Sequence, residues 1–287
     1  MDTSGYTTEI NDIAGLSSQF SDIELVYSSP AGYTNLFRGM RYGKRYMLKC
    51  LKPEYRLATT YIQALRKEFE IGLQLDHPNI CRTIGFEEIP EHGSTIILEY
   101  IDGFTLHEAI ASGNMELLES IKHSFLPGGE LLSALQYIHS KQIIHRDLKP
   151  SNIMITHNGN TPKLIDFSHS DSDAFSILKQ PAGTQEYIAP EQLLPDAKTD
   201  IRSDIYSLGI VAQKLNAQIK DPQLQTLIRL CTQRDANQRP ASISQITITH
   251  PSTTSRQYII IAALLVAAIT LAAYIILTLT KKGYLIA

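Results

Sequence analysis

Hydrophobic positions along the 287-residue chain change their period several times. From Ile23 to Leu51, short apolar runs are broken by Gly32, Gly39 and Gly43, a rhythm that predicts a meander of strands joined by tight turns. Between about Thr60 and Leu75, the residues Ile62, Leu65, Phe69 and Leu73 recur at helical steps. One amphipathic helix is therefore expected there, stopped by the Asp76-His77-Pro78-Asn79 stretch. Ser94 to Ile101 returns to a strand pattern, and beyond Gly103 the chain reads as mainly helical, notably over Gly128–Gln142 and Ser203–Asn216. No internal repeat stands out. A small sheet-rich part joined to a larger helical part is the α+β arrangement this pattern predicts.

The stretch Tyr258 to Thr280 is different, since it holds no charge, glycine or proline. As a helix it would extend roughly 35 Å, against a hydrocarbon core of ~30 Å. A membrane span is predicted, with Tyr258 and Tyr274 as interface-type aromatics. At the other end, Asp2, Glu9 and Asp12 stand where a secretory leader would need basic residues, so a polar tail is expected in place of a signal peptide. A net charge of −3 without a dense Lys/Arg block argues against a nucleic-acid surface. Three widely spaced cysteines, Cys50, Cys81 and Cys231, with no C-x-x-C pair, argue against disulfides or a zinc site, and the apolar contexts of Cys50 and Cys81 fit small buried hydrophobes in a reducing compartment.

The chemistry concentrates in "IIHRDLKPSNIMI", which places Asp147, Lys149 and Asn152 on one polar loop between apolar runs. A carboxylate, an ammonium and an amide at these offsets suit accepting a hydroxyl proton, neutralising a phosphate and ligating a divalent metal. This stretch resembles the catalytic loop of the eukaryotic-type protein kinases, H-R-D-x-K-x-x-N, without a mismatch. Further matches follow in family order: "KLIDFS" with Asp166, "GTQEYIAPE" with Thr184 and Glu191, Asp204 in "SDIYSLG", and Arg239 in "NQRP". Upstream, Lys49 in "YMLKCL" resembles the family's third-strand lysine, and Glu68 matches its helix glutamate, with Glu70 as the fallback.

The resemblance implies a bilobal kinase-like fold using ATP and Mg²⁺, with Mn²⁺ as a substitute. By it, Asp147 deprotonates the acceptor hydroxyl, Lys49 and Lys149 hold phosphates, and Asn152 and Asp166 bind the metal. Gly32 and Glu68 complete the nucleotide site, Asp204 anchors a helix, and Glu191 pairs with Arg239. Lys149 and Thr184 resemble Ser/Thr-specific members, so protein serine or threonine hydroxyls are the implied acceptors. Arg146 beside the base implies control by phosphorylation of a segment offering Ser168, Ser170, Ser172, Ser176 and Thr184.

The match has departures. Tyr27 and Ser29 stand where the family's glycine-rich loop has its first two glycines, leaving only Gly32. Gly72 replaces a bulky apolar residue, which predicts a gap beside the helix, and Ser168 replaces the glycine of Asp-Phe-Gly, which predicts a strained left-handed serine. A scaffold that keeps the fold with little phosphotransfer is the alternative these departures favour. A small-molecule kinase and a membrane-anchored adaptor are the others.

The organisation expected is a polar leader (1–22), a kinase-like domain (23–247) with lobes meeting near residue 99, a linker (248–257), a span (258–280) and a short tail (281–287). Lys281 and Lys282 outnumber Arg256 across the span, which alone would keep the tail in the cytoplasm. Long domains respond weakly to flanking charge, however, and ATP chemistry requires the cytoplasm. Residues 1–257 are therefore expected on the cytoplasmic side of a single-pass membrane protein whose partners are protein substrates and the bilayer.

Overall fold

Five antiparallel strands open the fold in a computed structural model that describes residues 19–30, 32–170, 185–193, 200–248 and 253–281. They are β1 (Ser21–Ser28), β2 (Thr34–Arg41), β3 (Lys44–Leu51), β4 (Thr83–Ile89) and β5 (Gly93–Glu99), in the spatial order β1-β2-β3-β5-β4. The β2–β3 hairpin closes on Tyr42 and Gly43, both with positive φ (53° and 71°). That is the combination a two-residue turn needs to follow the twist of its strands.

Alternation along β3 then decides what each residue faces. Leu48 packs with Ile89 and Ile97 on one side, while Leu51 packs with Ile96 and Leu65 on the other. Lys49, in register with Ile96 of β5, shares the Leu51 face.

Over that face lies α1 (Thr59–Leu73), which buries Leu65, Glu68, Ile71 and Gly72. The expected helix is present, but its buried stripe runs through Leu65, Glu68 and Gly72, and Leu73 is 55% exposed. Steps of four and three residues keep the first set over the sheet, whereas the steps from Leu65 through Phe69 to Leu73 drift off that line.

The chain continues through β6 (Gly103–Thr105), α2 (Leu106–Ser112), α3 (Met115–Lys122) and α4 (Glu130–Ser140), then β7 (Ile153–Thr156) and β8 (Pro162–Leu164). The Thr105 side chain and Glu108 form a capping box that starts α2. Strands β6, β7 and β8 make a second sheet in that order, inside the region that reads as helical. Runs of three or four residues are too short to show a two-residue period. Gly103 is needed there, because an added Cβ would lie 2.1 Å from the Ile155 carbonyl oxygen. Helices α5 (Arg202–Ile219) and α6 (Pro222–Cys231) complete this compact unit, Met1–Ile246.

The second unit, Thr247–Ala287, carries α7 (Thr253–Lys281). Its apolar window, Ile260–Thr278, has a mean hydropathy of 2.8 and none of it is buried. Thr270 Oγ1 donates to the Ala267 carbonyl and Thr278 Oγ1 to that of Tyr274, both at 2.9 Å. Both of these hydroxyls are thereby satisfied within the helix.

Candidate active site

Lys49 lies between two carboxylates. Its Nζ donates to Glu68 Oε1 at 2.6 Å and to Asp166 Oδ1 at 2.8 Å, joining β3, α1 and the loop after β8. Burial disfavours the lysine's charge, but Asp166 and Glu68 together outweigh it and hold Lys49 firmly protonated. The two acids respond differently. Burial raises Glu68 to about 7, only partly offset by Lys49, and its Oε2 is buried without a hydrogen-bond partner among the described residues. Asp166 is also opposed by burial, yet Lys49 and, after it, the Ser168 side chain hold it well below the usual carboxylate range, and the Ser168 N–H donates to its Oδ1 at 3.2 Å. Glu70, the fallback partner, is exposed.

The Asp147 loop is built around Asp204, the fully buried acid near the start of α5. Its Oδ2 accepts the His145 N–H at 2.8 Å and its Oδ1 the Arg146 N–H at 2.9 Å. His139 Nε2 adds a third bond at 2.8 Å. Against the effect of burial, His139 first and then His145 keep Asp204 below its ordinary pKa. The clamp has a clear purpose, since Arg146 sits at φ 64°, a left-handed conformation that costs a non-glycine residue on the order of 1–3 kcal/mol. Charge-assisted bonds to adjacent amides offset that cost.

Within the loop, Asp147 Oδ2 accepts Lys149 Nζ at 2.7 Å and Asn152 Nδ2 at 3.0 Å. Asn152 Nδ2 also reaches the Asp147 carbonyl at 2.9 Å. With its nitrogen so used, the Asn152 side chain has its carbonyl oxygen to offer elsewhere. The Ile165 N–H binds the Asn152 backbone carbonyl at 3.0 Å, which seats Asn152 next to the segment leading to Asp166.

Two departures resolve differently from their sequence expectations. Asp166, with φ 64°, takes the left-handed position, and Ser168 is not among the positive-φ residues. The serine is therefore unstrained, and its N–H caps the aspartate. Nor does Gly72 leave a gap: a Cβ there would meet Thr83 Oγ1 at 2.1 Å. Thr83 of β4 fills that space.

At the loop between β1 and β2, Ser29 Oγ accepts the Gly32 N–H at 2.9 Å, and Lys52 Nζ donates to the Ser29 carbonyl at 2.6 Å. A Cβ on Gly32 would lie 2.6 Å from Ser29 Oγ, so Gly32 is needed for this turn. The Ser29 side chain thus occupies the Gly32 amide.

Glu191 and Arg239 pair through two bonds of 2.7 and 2.8 Å. Arg239 is shut from solvent, also donates to the carbonyls of Gln233, Arg202 and Arg234, and lies over the Tyr206 ring. Thr184, Ser172 and Ser176 lie outside the described residues. Ser170 is buried, with Oγ 3.4 Å from the His145 carbonyl.

Sequence reasoning passed over Asn79, whose side chain donates to the Pro162 carbonyl at 2.9 Å and whose carbonyl accepts the Leu164 N–H. It also passed over His139 and His169. Burial lowers the His169 pKa, opposed in part by the charges of Asp147 and Asp166. Its place directly after Ser168 was the available signal. His139 gave none.

The protein kinase domain family matches residues 32–226. Serine/threonine-protein kinase pkn2 of Myxococcus xanthus is 29% identical over 215 residues, 70% of this chain and 24% of its own. PrkC of Bacillus subtilis is 34% identical over 174 residues, 58% of this chain and 26% of its own. PknA of Mycobacterium tuberculosis is 32% identical over 179 residues, 60% and 40% of the two chains. The chain thus spans about a quarter of the length of pkn2 and PrkC. The family match extends over more than half the chain, from the loop between β1 and β2 through α5 into α6, and the chain belongs to the protein kinase domain family.

Proposed function

We propose that this chain transfers the γ-phosphoryl group of ATP to serine or threonine hydroxyls of protein substrates, and that α7 anchors it in a membrane. The observation that carries the reading is Lys49 held between Glu68 and Asp166. This arrangement positions an ammonium for nucleotide phosphates beside an acid kept ionised. The names of the relatives support the acceptor class.

Asp147 takes the proton of the acceptor hydroxyl as its oxygen bonds to the γ-phosphorus, and the bond to the β–γ bridging oxygen breaks to release ADP. Lys149, bonded to Asp147, faces the transferring phosphoryl group, while Gly32 and Lys49 hold the nucleotide. Asn152 and Asp166 would hold Mg²⁺, which suits a carboxylate and an amide oxygen completed by phosphates and water, and which neutralises charge developing on the phosphates. Glu191, Asp204 and Arg239 keep the acceptor side in place.

Residues 23–247 form the transferring domain in this reading, on the cytoplasmic side where ATP is abundant. The apolar window of α7 spans about 28 Å as a helix, close to the hydrocarbon thickness.

The full chain with ATP, Mg²⁺ and a generic basic protein should yield phosphoserine or phosphothreonine. Asp147→Asn should lower the rate by orders of magnitude while the nucleotide-induced melting shift persists. Equal rates for parent and variant would place the base elsewhere, and a melting shift without turnover in the parent would favour a scaffold. Alkaline carbonate should leave the chain in membranes. Extraction would remove the anchor from the reading.

A further inference from the structure

We propose that Tyr33 is a positioning residue that ties the nucleotide loop to α1 and so holds Glu68 against Lys49. This rests on the kinase reading above and adds to it a residue outside the family's motifs.

Tyr33 directly follows Gly32, and its carbonyl accepts the Lys52 N–H at 2.9 Å, which fixes its backbone to the end of β3. Its ring lies 5.1 Å from that of Tyr61 in the first turn of α1. Tyr61 in turn lies 4.5 Å from Tyr55, in the short turn leading from β3 to α1. All three rings pack on the core of Leu51, Leu65 and Ile96. Tyr61 is seven residues before Glu68, or about two helical turns, so ring and carboxylate project from one face. The tyrosine contact and the Lys49 ion pair are thus two attachments of a single helix face to the sheet.

Glu68 needs the second attachment because its own hold is thin. Among the described residues the carboxylate has one hydrogen bond, from Lys49, while Oε2 is buried without a partner. Burial and, after it, the charge of Glu68 push the Tyr33 hydroxyl up to about 12, so the ring meets the helix as a neutral, rigid group. An aromatic contact of this kind is specific in geometry and little affected by pH or salt. A loop drawn toward bound nucleotide would carry the Tyr33 ring with it, and through Tyr61 the helix.

The test uses the full chain in mild detergent, with Tyr33→Ala, Tyr33→Phe, Glu68→Gln and the Tyr33→Ala/Glu68→Gln double variant. Losing one aromatic contact should cut kcat roughly tenfold, with KM for ATP changing much less. Tyr33→Phe keeps the ring and should restore the parent rate. In the Glu68→Gln background, Tyr33→Ala should have little further effect, because its action passes through Glu68. Amide hydrogen exchange along α1 should quicken in Tyr33→Ala and not in Tyr33→Phe.

A rise in KM at unchanged kcat would make Tyr33 a nucleotide contact and overturn the proposal. So would an undiminished loss in the Glu68→Gln background. If Tyr33→Ala melts below assay temperature, Tyr61→Leu breaks the same contact from the helix side and should reproduce the kcat loss. An unchanged rate in it would equally overturn the proposal. If the parent transfers phosphate to no acceptor, the kinase reading fails and the exchange measurement alone decides whether Tyr33 steadies α1.

Discussion

Adding a single methyl group at Gly72 tests whether the space beside α1 is full or empty. Replacing a helix glycine by alanine ordinarily gains up to about 1 kcal/mol. Gly72 is the penultimate residue of α1, where less of that gain applies. Against it, the new Cβ would stand 2.1 Å from Thr83 Oγ1 and 3.0 Å from Thr83 Cβ, whereas non-bonded atoms settle at about 3.5–4.0 Å. Rotating the threonine side chain moves Oγ1 but not Cβ, so α1 and β4 must separate by several tenths of an ångström. Overpacking of this kind costs roughly 1–3 kcal/mol. The balance is a net loss of about 1–2 kcal/mol, or a fall of about 2–8 °C in Tm for a domain of this size.

Thr83→Ala removes Oγ1 and the methyl group, so Gly72→Ala/Thr83→Ala should be more stable than the sum of the two single changes, by about 0.5–3 kcal/mol. Thermal melting of the four proteins in the same detergent gives the comparison. Phosphotransfer by Gly72→Ala should fall too, since Glu68 lies one turn before the displaced residue. A Gly72→Ala protein that melts at or above the parent temperature would show that the pocket yields and the packing argument is wrong.

Three further predictions follow from the site. Ser168→Gly relieves no strain and loosens the segment, so activity should stay within about twofold and stability should fall by less than about 1 kcal/mol; a several-fold rise in rate would mean that the serine does restrain the loop. Arg239→Ala leaves Glu191 and three carbonyls without their partner and should cost about 3–5 kcal/mol in denaturant unfolding, while Arg239→Lys recovers only part because an ammonium cannot fork to both oxygens. With Glu68 near 7, lowering the pH through 7 protonates it and breaks the Lys49 pair, so the transfer rate should drop on the acid side, and Glu68→Gln should be slower but lack that limb. The sign for stability is opposite: the folded pKa lies above the ordinary 4.5, so this group's contribution is full below 4.5 and is lost as pH rises through 7.

The chain's local patterns determined a good deal. Asp147, Lys149 and Asn152 lie within six residues, so their spacing alone put them on one loop, and the structure bonds all three together. The apolar run after Tyr258 and the helix bearing Glu68 were equally legible, because period and composition are local properties.

Packing across the chain decided the rest. Lys49 and Asp166 are 117 residues apart, and no periodicity reports that their side chains meet. Thr83 filling the space at Gly72, Ser29 capping Gly32 and Tyr33 reaching Tyr61 each depend on elements that touch only after folding. The backbone strain assigned by motif to Ser168 falls instead on Arg146 and Asp166, where the Asp204 clamp and the Lys49 ion pair hold it. A sequence states which residues tolerate a left-handed backbone, but which residue is forced into it depends on the bonds that surround the loop, and those come from distant parts of the chain.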